Sequence, residues 1–173
     1  MNCIDCGTEI SKRRKRCELC NKIKTLSYKG KAMRVLERMD EIVGDVELII
    51  PKTFIRRDLF GLFDLISIKT SGKIRFINVF EAKGHGDEYS KHLKKFNENQ
   101  EILNRILERE NTFELWGYRG RSKRKKKLYF LVHEYYTLEV RFMDMNVSGR
   151  QYHKEYVPDK YRVYFDGTIE EKE

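Results

Sequence analysis

The amino-acid sequence predicts an α/β domain, a mixed central sheet with helices packed on it, preceded by a small cysteine module. Three observations carry that expectation. All four cysteines fall within the first twenty residues. Beyond them, helix-period and strand-period apolar patterns follow in the order helix, strand, strand, strand, helix, strand, strand. A Ser71-Gly72-Lys73 turn signal separates two of those strands. The chain of 173 residues suffices for one compact domain plus an appendage, and its hydrophobic fraction of 40% suits a soluble globular fold. Residues 1–26 form the cysteine module and residues 27–173 the main domain, with a core at about 29–136 and a C-terminal extension at 137–173.

The cysteines form two pairs, Cys3-x-x-Cys6 followed by Gly7 and Cys17-x-x-Cys20 followed by Asn21. Two such turns let four thiolates surround one tetrahedral ion, with a small residue after each pair permitting the tight bend. One structural Zn²⁺ is expected. Two disulfides are the alternative, disfavoured in a reducing cytosol, and iron or an iron–sulfur cluster is a lesser one. A segment this short folds only with its metal. Between the pairs, Lys12, Arg13, Arg14, Lys15 and Arg16 make a cationic finger.

In the main domain, residues 27–30 read as a junction and residues 31–43 as a helix, with Met33, Leu36, Met39 or Asp40, and Val43 on successive turns and Gly44 as terminator. Residues 46–50 read as a short apolar strand stopped by Pro51. Residues 61–69 and 73–83 form a hairpin. Residues 87–109 read as one helix whose apolar stripe runs Tyr89, Leu93, Phe96, Leu103, Leu107, with Gln100 in the missing position, as a core amide or as a group reaching the site. Residues 113–118 and 127–136 read as strands joined by residues 119–126, and 138–143 and 161–165 as further strands. The acidic end from Glu170 is expected to fray.

The hairpin carries the chemistry. With Gly72-Lys73 central in a type II′ turn, Asp64 lies opposite Glu81, and alternation puts Lys83 on the same face. The pairing matches Ile66 with Val79 and Ile68 with Ile77 on that face, and Leu65 with Phe80 and Ser67 with Asn78 on the other. A register with Ser71-Gly72 central keeps the clustering, with the acids as diagonal neighbours. Two carboxylates and an ammonium at the open end of a hairpin suit a divalent cation and a phosphate.

The net charge of +9 is uneven. Residues 1–38 carry +7, residues 119–127 another +7 with no acid, and the remainder −5. Two basic blocks on an acidic body are contacts for a polyanion: DNA, RNA or anionic lipid head groups. No apolar run approaches membrane-spanning length and the N-terminus lacks a signal-peptide core, so an intracellular, cytoplasmic protein that is not inserted in a membrane is expected.

The element order together with Asp64 and Glu81-Ala82-Lys83 resembles the PD-(D/E)XK nuclease superfamily, the restriction-endonuclease-like αβββαβ fold. The run 57–64, the Glu81-Ala82-Lys83 triplet and residues 116–121 are similar to small phage and archaeal endonuclease-like and Holliday junction resolvase-like proteins. The resemblance implies a DNA endonuclease in which Asp64, Glu81 and the Ala82 carbonyl hold Mg²⁺ or Mn²⁺ and Lys83 supports the attacking water or the transition state. Family members often carry a glutamate early in the first helix; residues 30–35 contain no acid, so Glu37 or Glu41 would substitute. Asp58, His85 and Gln100 are further candidate supports, and His92 reads as an exposed surface residue, with a contact to the scissile phosphate as the alternative. DNA contacts are assigned to Lys12, Arg13, Arg14, Lys15, Arg16, Arg119, Arg121, Lys123, Arg124, Lys125, Lys126 and Lys127, while Trp116 and Tyr118 either stack on bases or pack the core. Two cuts on a duplex or junction imply a homodimer. The alternative is a non-catalytic nucleic-acid-binding or regulatory protein that retains the fold.

Overall fold

The computed structural model describes residues 2–3, 8–12, 15–18, 21–22, 25–50, 55–82, 87–121, 128–136, 138–146 and 149–171. The α/β class is as expected. A seven-stranded mixed sheet has the order β1-β4-β5-β6-β7-β10-β11, built from β1 (Ile42–Asp45), β4 (Leu65–Ile68), β5 (Ile74–Glu81), β6 (Thr112–Arg121), β7 (Leu128–Tyr135), β10 (Asp159–Tyr164) and β11 (Ile169–Glu171). β5 and β6 are parallel and every other neighbouring pair is antiparallel. Two separate ribbons pair β2 (Leu48–Ile50) with β3 (Ile55–Arg57), and β8 (Leu138–Asn146) with β9 (Gly149–Tyr156).

Helix α1 (Tyr28–Arg38) lies on one face, across β1, β4 and β5; α2 (Asp87–Asn97) and α3 (Gln100–Glu108) make the crossover to the parallel strand β6 and pack on the other. Period-two alternation along the strands therefore feeds two cores. Ala32, Val35 and Leu36 of α1 meet Leu65, Ile77, Trp116, Phe130 and Val132. Phe96, Leu103 and Ile106 of the crossover helices meet Phe63, Phe80, Phe113, Leu115 and Tyr135. Trp116 is wholly buried and so packs the core, leaving no face for a base.

Several boundaries differ from expectation for identifiable reasons. Helix α1 starts at Tyr28, capped by Ser27, whose side chain accepts from the Gly30 amide at 3.1 Å. It stops at Arg38, well before Gly44, because Asp40 adopts φ +61°; the Asp40 amide then reaches the Glu37 carbonyl and the Glu41 amide the Leu36 carbonyl. Val43 and Gly44 belong to the edge strand β1, separate from β2. The expected helix 87–109 is two helices broken at Glu98 and Asn99, so Gln100 opens α3 exposed to solvent and occupies neither the core nor the site. The C-terminal residues do not fray through Glu171: β11 pairs with β10, and the Tyr164 hydroxyl donates to Glu170. β6 extends to Arg121, so Arg119 and Arg121 are strand residues; the connecting basic residues 122–127 lie outside the described set.

The hairpin register also differs. The observed partners are Leu65 with Ile77, Ile66 with Phe76, Ser67 with Arg75 and Ile68 with Ile74. Thr70, Ser71 and Gly72 form a three-residue loop closed by the Lys69 amide on the Lys73 carbonyl at 2.9 Å, with Gly72 at φ +82°. Glycine therefore supplies the left-handed residue at the end of the loop, not the first position of a type II′ turn. The resulting three-residue slip is odd, so Leu65 and Ser67, expected opposite Phe80 and Asn78, share the α1-facing side with Ile77 and Arg75.

Candidate active site

Asp64 precedes β4 and is tied to both flanking strands. Its amide donates to the Ile77 carbonyl at 2.9 Å, its carbonyl accepts from the Val46 amide at 3.1 Å, and Oδ2 accepts from the Val79 amide at 2.6 Å. The preceding segment is a compact turn: Leu59 bridges Phe63, and the Gly61 amide reaches the Asp58 carbonyl. Buried Asn78 anchors that turn from below by donating to the Leu62 carbonyl at 2.9 Å. Asp58 thus opens the turn that delivers Asp64, and its carboxylate lies 3.8 Å from Lys95 of α2.

The slip places Asp64 beside Ile77 and Val79, and not opposite Glu81 as expected. Glu81 ends β5 two residues beyond Val79, about 7 Å along the strand at 3.3 Å per residue. It neighbours Tyr118 on parallel β6, and the Ala82 amide bonds the Tyr118 carbonyl at 3.0 Å. Ala82 is buried against Gly117, where an added Cβ would collide with the Tyr89 hydroxyl and stand 2.9 Å from the Ala82 Cβ. Only glycine lets α2 close onto β6 there. Among the described residues, no three or more His, Cys, Asp or Glu are grouped to hold a metal ion; Lys83 and His85 lie outside them.

Electrostatics mark Asp64 as unusual. Burial pushes its carboxyl up from 3.8 to about 6; the Val79 amide and Lys29 oppose that shift, while the negative charges of Asp58 and Glu47 add to it. Lys29, in the first turn of α1, bridges Asp45 at 2.9 Å and Glu47. Burial works against its charge, but the Glu47 and Asp45 carboxylates outweigh that and raise its pKa. The sequence reading passed over this trio. The available signal was a pair of lysines, Lys29 and Lys31, in a helical first turn that holds no acid, against the helix dipole.

A carboxyl with a raised native pKa binds its proton more tightly in the folded state, so stability falls as pH rises through the window from 3.8 to about 6. Two pH units correspond to about 2–3 kcal/mol. Asp64→Asn keeps an acceptor for Val79 and removes the charge. In EDTA at pH 8 this variant is expected to melt about 5 °C above wild type, with the difference closing below pH 4; calorimetry across that range checks it.

The other candidates are dispersed. Glu37 is exposed and pairs with Arg34 at 2.7 Å. Glu41 is buried against Arg75 at 2.6 Å and Ser67, near the start of β5, where Arg75 sits about 20 Å from Glu81 along the strand. Neither replaces a metal-binding glutamate. A cleft of about 540 Å³ opens at that far end, and its Glu41, Arg75, Lys69 and Glu134 lining is paired internally. His92 is half-buried and stacked on Phe80 at 4.2 Å rather than free on the surface; burial and Lys95 lower its pKa. Arg119 lies over the Tyr89 ring at 5.8 Å. Tyr118 stacks on Tyr28 at 5.2 Å.

In the cysteine module, Asn2 bridges Glu9, the Cys3 amide donates to the Thr8 carbonyl at 2.7 Å, and Cys3 is buried. The Asn21 amide reaches the Cys17 carbonyl at 3.0 Å, a helical turn at the second pair. Cys6, Cys20, Arg13 and Arg14 lie outside the described residues; Lys12 and Lys15 are exposed and Arg16 is half-buried. Comparison of the chain with protein-family models, curated proteins and solved structures finds no match. No described helix is long and apolar enough to cross a membrane.

Proposed function

We propose that this protein is a metal-dependent endodeoxyribonuclease of the PD-(D/E)XK type. The observation that carries the reading is Asp64: a carboxylate held between the residue after β1 and β5 at the open end of the hairpin, its pKa raised, with Glu81 at the end of β5, Lys29 acting on Asp64 and Lys31 on Glu81. The order α1, the antiparallel sheet strands β1, β4 and β5 with the β2–β3 ribbon inserted after β1, two crossover helices and the parallel strand β6 supports it, being similar to the αβββαβ order that the resemblance implies. Asp64, Glu81 and the Ala82 carbonyl would hold the Mg²⁺ or Mn²⁺. Such an ion supplies a water of lowered pKa and neutralises phosphate charge. The chain's own part is to fix the acids: Val79 orients Asp64, the β5–β6 pairing fixes Glu81, and Lys83 supplies a cation to the developing charge.

The cysteine module, holding one Zn²⁺, and the basic residues 119–127 grip the backbone in this reading. A cut through both strands calls for two copies, since each chain offers one such pair of acids. One observation favours a second reading, a non-catalytic DNA-binding protein: the three-residue slip leaves the Asp64 carboxylate on the Val79 amide, two residues short of Glu81 along β5. The test incubates the wild-type protein with supercoiled plasmid, linear duplex, single strands, a four-way junction and RNA, in Mg²⁺ or EDTA. Cleavage of a DNA substrate in Mg²⁺ alone is expected. Cleavage that persists in EDTA, or binding without cleavage, overturns the nuclease reading.

A further inference from the structure

Lys31 sits in the first turn of α1, only 8% exposed, with its ammonium 5.0 Å from the ring centroids of both Tyr28 and Tyr118. Those rings stack on each other, and Tyr118 is the cross-strand neighbour of Glu81. The side chain is therefore gripped by aromatic faces on the α1 side of the sheet, next to the acid at the end of β5. Among the described residues no hydrogen bond or ion pair engages the ammonium, which lies over the two rings.

That arrangement is costly unless something offsets it. Burial pulls the Lys31 pKa down, and the charge of Glu81 works the other way. The helix adds to the difficulty, since its N-terminal end is positive and its first turn contains no acid. The neighbouring Lys29 is neutralised by Asp45 and Glu47. A largely buried lysine held between two rings at a helix N-terminus, its hydrogen-bond donors unused by the described residues, forms a seat for an anion beside the Glu81 carboxylate.

We propose that Lys31 is a phosphate-contacting residue of the Glu81 site, where its ammonium meets a non-bridging oxygen of the backbone phosphate next to the acids. The proposal rests on the phosphodiester-cleavage reading for its catalytic half and on phosphate recognition alone for its binding half. The cage of Tyr28 and Tyr118 fixes the ammonium by cation–π attraction, which holds a cation in place without using its hydrogen-bond donors. Those three donors remain available to phosphate oxygens.

The test uses Lys31→Met, which keeps the length and apolar packing of the stem between the rings and removes the charge. Lys31→Gln serves as a second neutral variant should the first not fold, and Lys31→Arg as the conservative rescue. Affinity for a fluorescent duplex DNA is measured in EDTA over a range of salt, and cleavage of the same duplex is followed in Mg²⁺. A neutral variant is expected to bind about five- to tenfold more weakly, with a salt slope shallower by about one unit, and to cleave with kcat reduced about 100-fold. Lys31→Arg should restore the slope and part of the rate. If wild type cleaves while a folded neutral variant matches it in rate and slope, the Lys31 proposal falls and the nuclease reading stands. If wild type does not cleave but the slope still drops, the nuclease reading falls and the phosphate contact stands. An unchanged slope without cleavage overturns both. A purely structural lysine would shift the melting temperature and leave the slope untouched.

Discussion

Glu114→Ala is expected to lower the unfolding free energy by about 3–5 kcal/mol, the cost of leaving a buried charge without its partner. Glu114 is wholly buried and Arg75 is 1% exposed. The two form a bidentate pair, Nε to Oε1 at 2.6 Å and Nη2 to Oε2 at 2.7 Å. Glu114 also accepts from the Trp116 indole at 2.6 Å and from Thr112 at 3.2 Å, while Arg75 reaches Glu41 and the Tyr161 hydroxyl. Burial opposes ionisation of Glu114, but the Arg75 guanidinium outweighs it and holds the carboxyl below its ordinary range. Truncation removes that partner, orphans the Trp116 N–H and opens a void between β5 and β6. Glu41 retains part of the compensation, so Arg75 is not wholly abandoned. At about 2–4 °C per kcal/mol for a chain of this size, the melting temperature should fall by about 10 °C. Urea unfolding measures it directly, and a change under 1 kcal/mol would mean that the network is not buried as described.

The second large effect is functional. Glu81→Ala is expected to reduce DNA cleavage at least about 10³-fold, a loss of about 4 kcal/mol of transition-state stabilisation. The fold should tolerate the change. Glu81 closes β5 through backbone pairing with Tyr118, which alanine preserves, and its side chain is half-buried outside both apolar clusters. Lys31 would feel the loss, since the Glu81 charge works against the lowering of its pKa. A melting temperature within a few degrees of wild type therefore separates lost chemistry from lost structure.

The parts of this fold that were legible in the sequence are those that depend on apolar period. Strand β5, from Ile74 to Glu81, and strand β7, from Leu128 to Tyr135, stand out as dense apolar runs bounded by charge, and their neighbours in order give a mixed sheet. What escaped depends on single backbone angles. Asp40 and Glu110 take the positive φ that glycine usually takes after a helix, so Gly44 reads as a terminator in the sequence although α1 ends before Asp40. Gly72 in the left-handed region sets a three-residue loop, and that one angle shifts every pair from Leu65 to Ile68. The Arg75–Glu114 pair escaped for another reason. Lone charges at strand positions read as solvated until the parallel pairing of β5 with β6 puts them on one covered face. In the site, Asp64 was legible as an acid within an apolar run; its neighbours Lys29 and Glu47 come from α1 and the turn after β1, and only the tertiary fold brings them near.

The slip in register makes one comparison decisive, because it tests whether Asp64 and Glu81 act as one site although the pairing is three residues out of the expected step. Single-turnover cleavage of supercoiled plasmid in Mg²⁺ is followed side by side for wild type and Glu81→Ala, both confirmed folded by their melting temperatures. Nicking by wild type that disappears in EDTA and in Glu81→Ala is the expected result. Equal nicking by the two proteins would contradict the assignment of Glu81 to the metal and, with it, the nuclease site at the end of this hairpin.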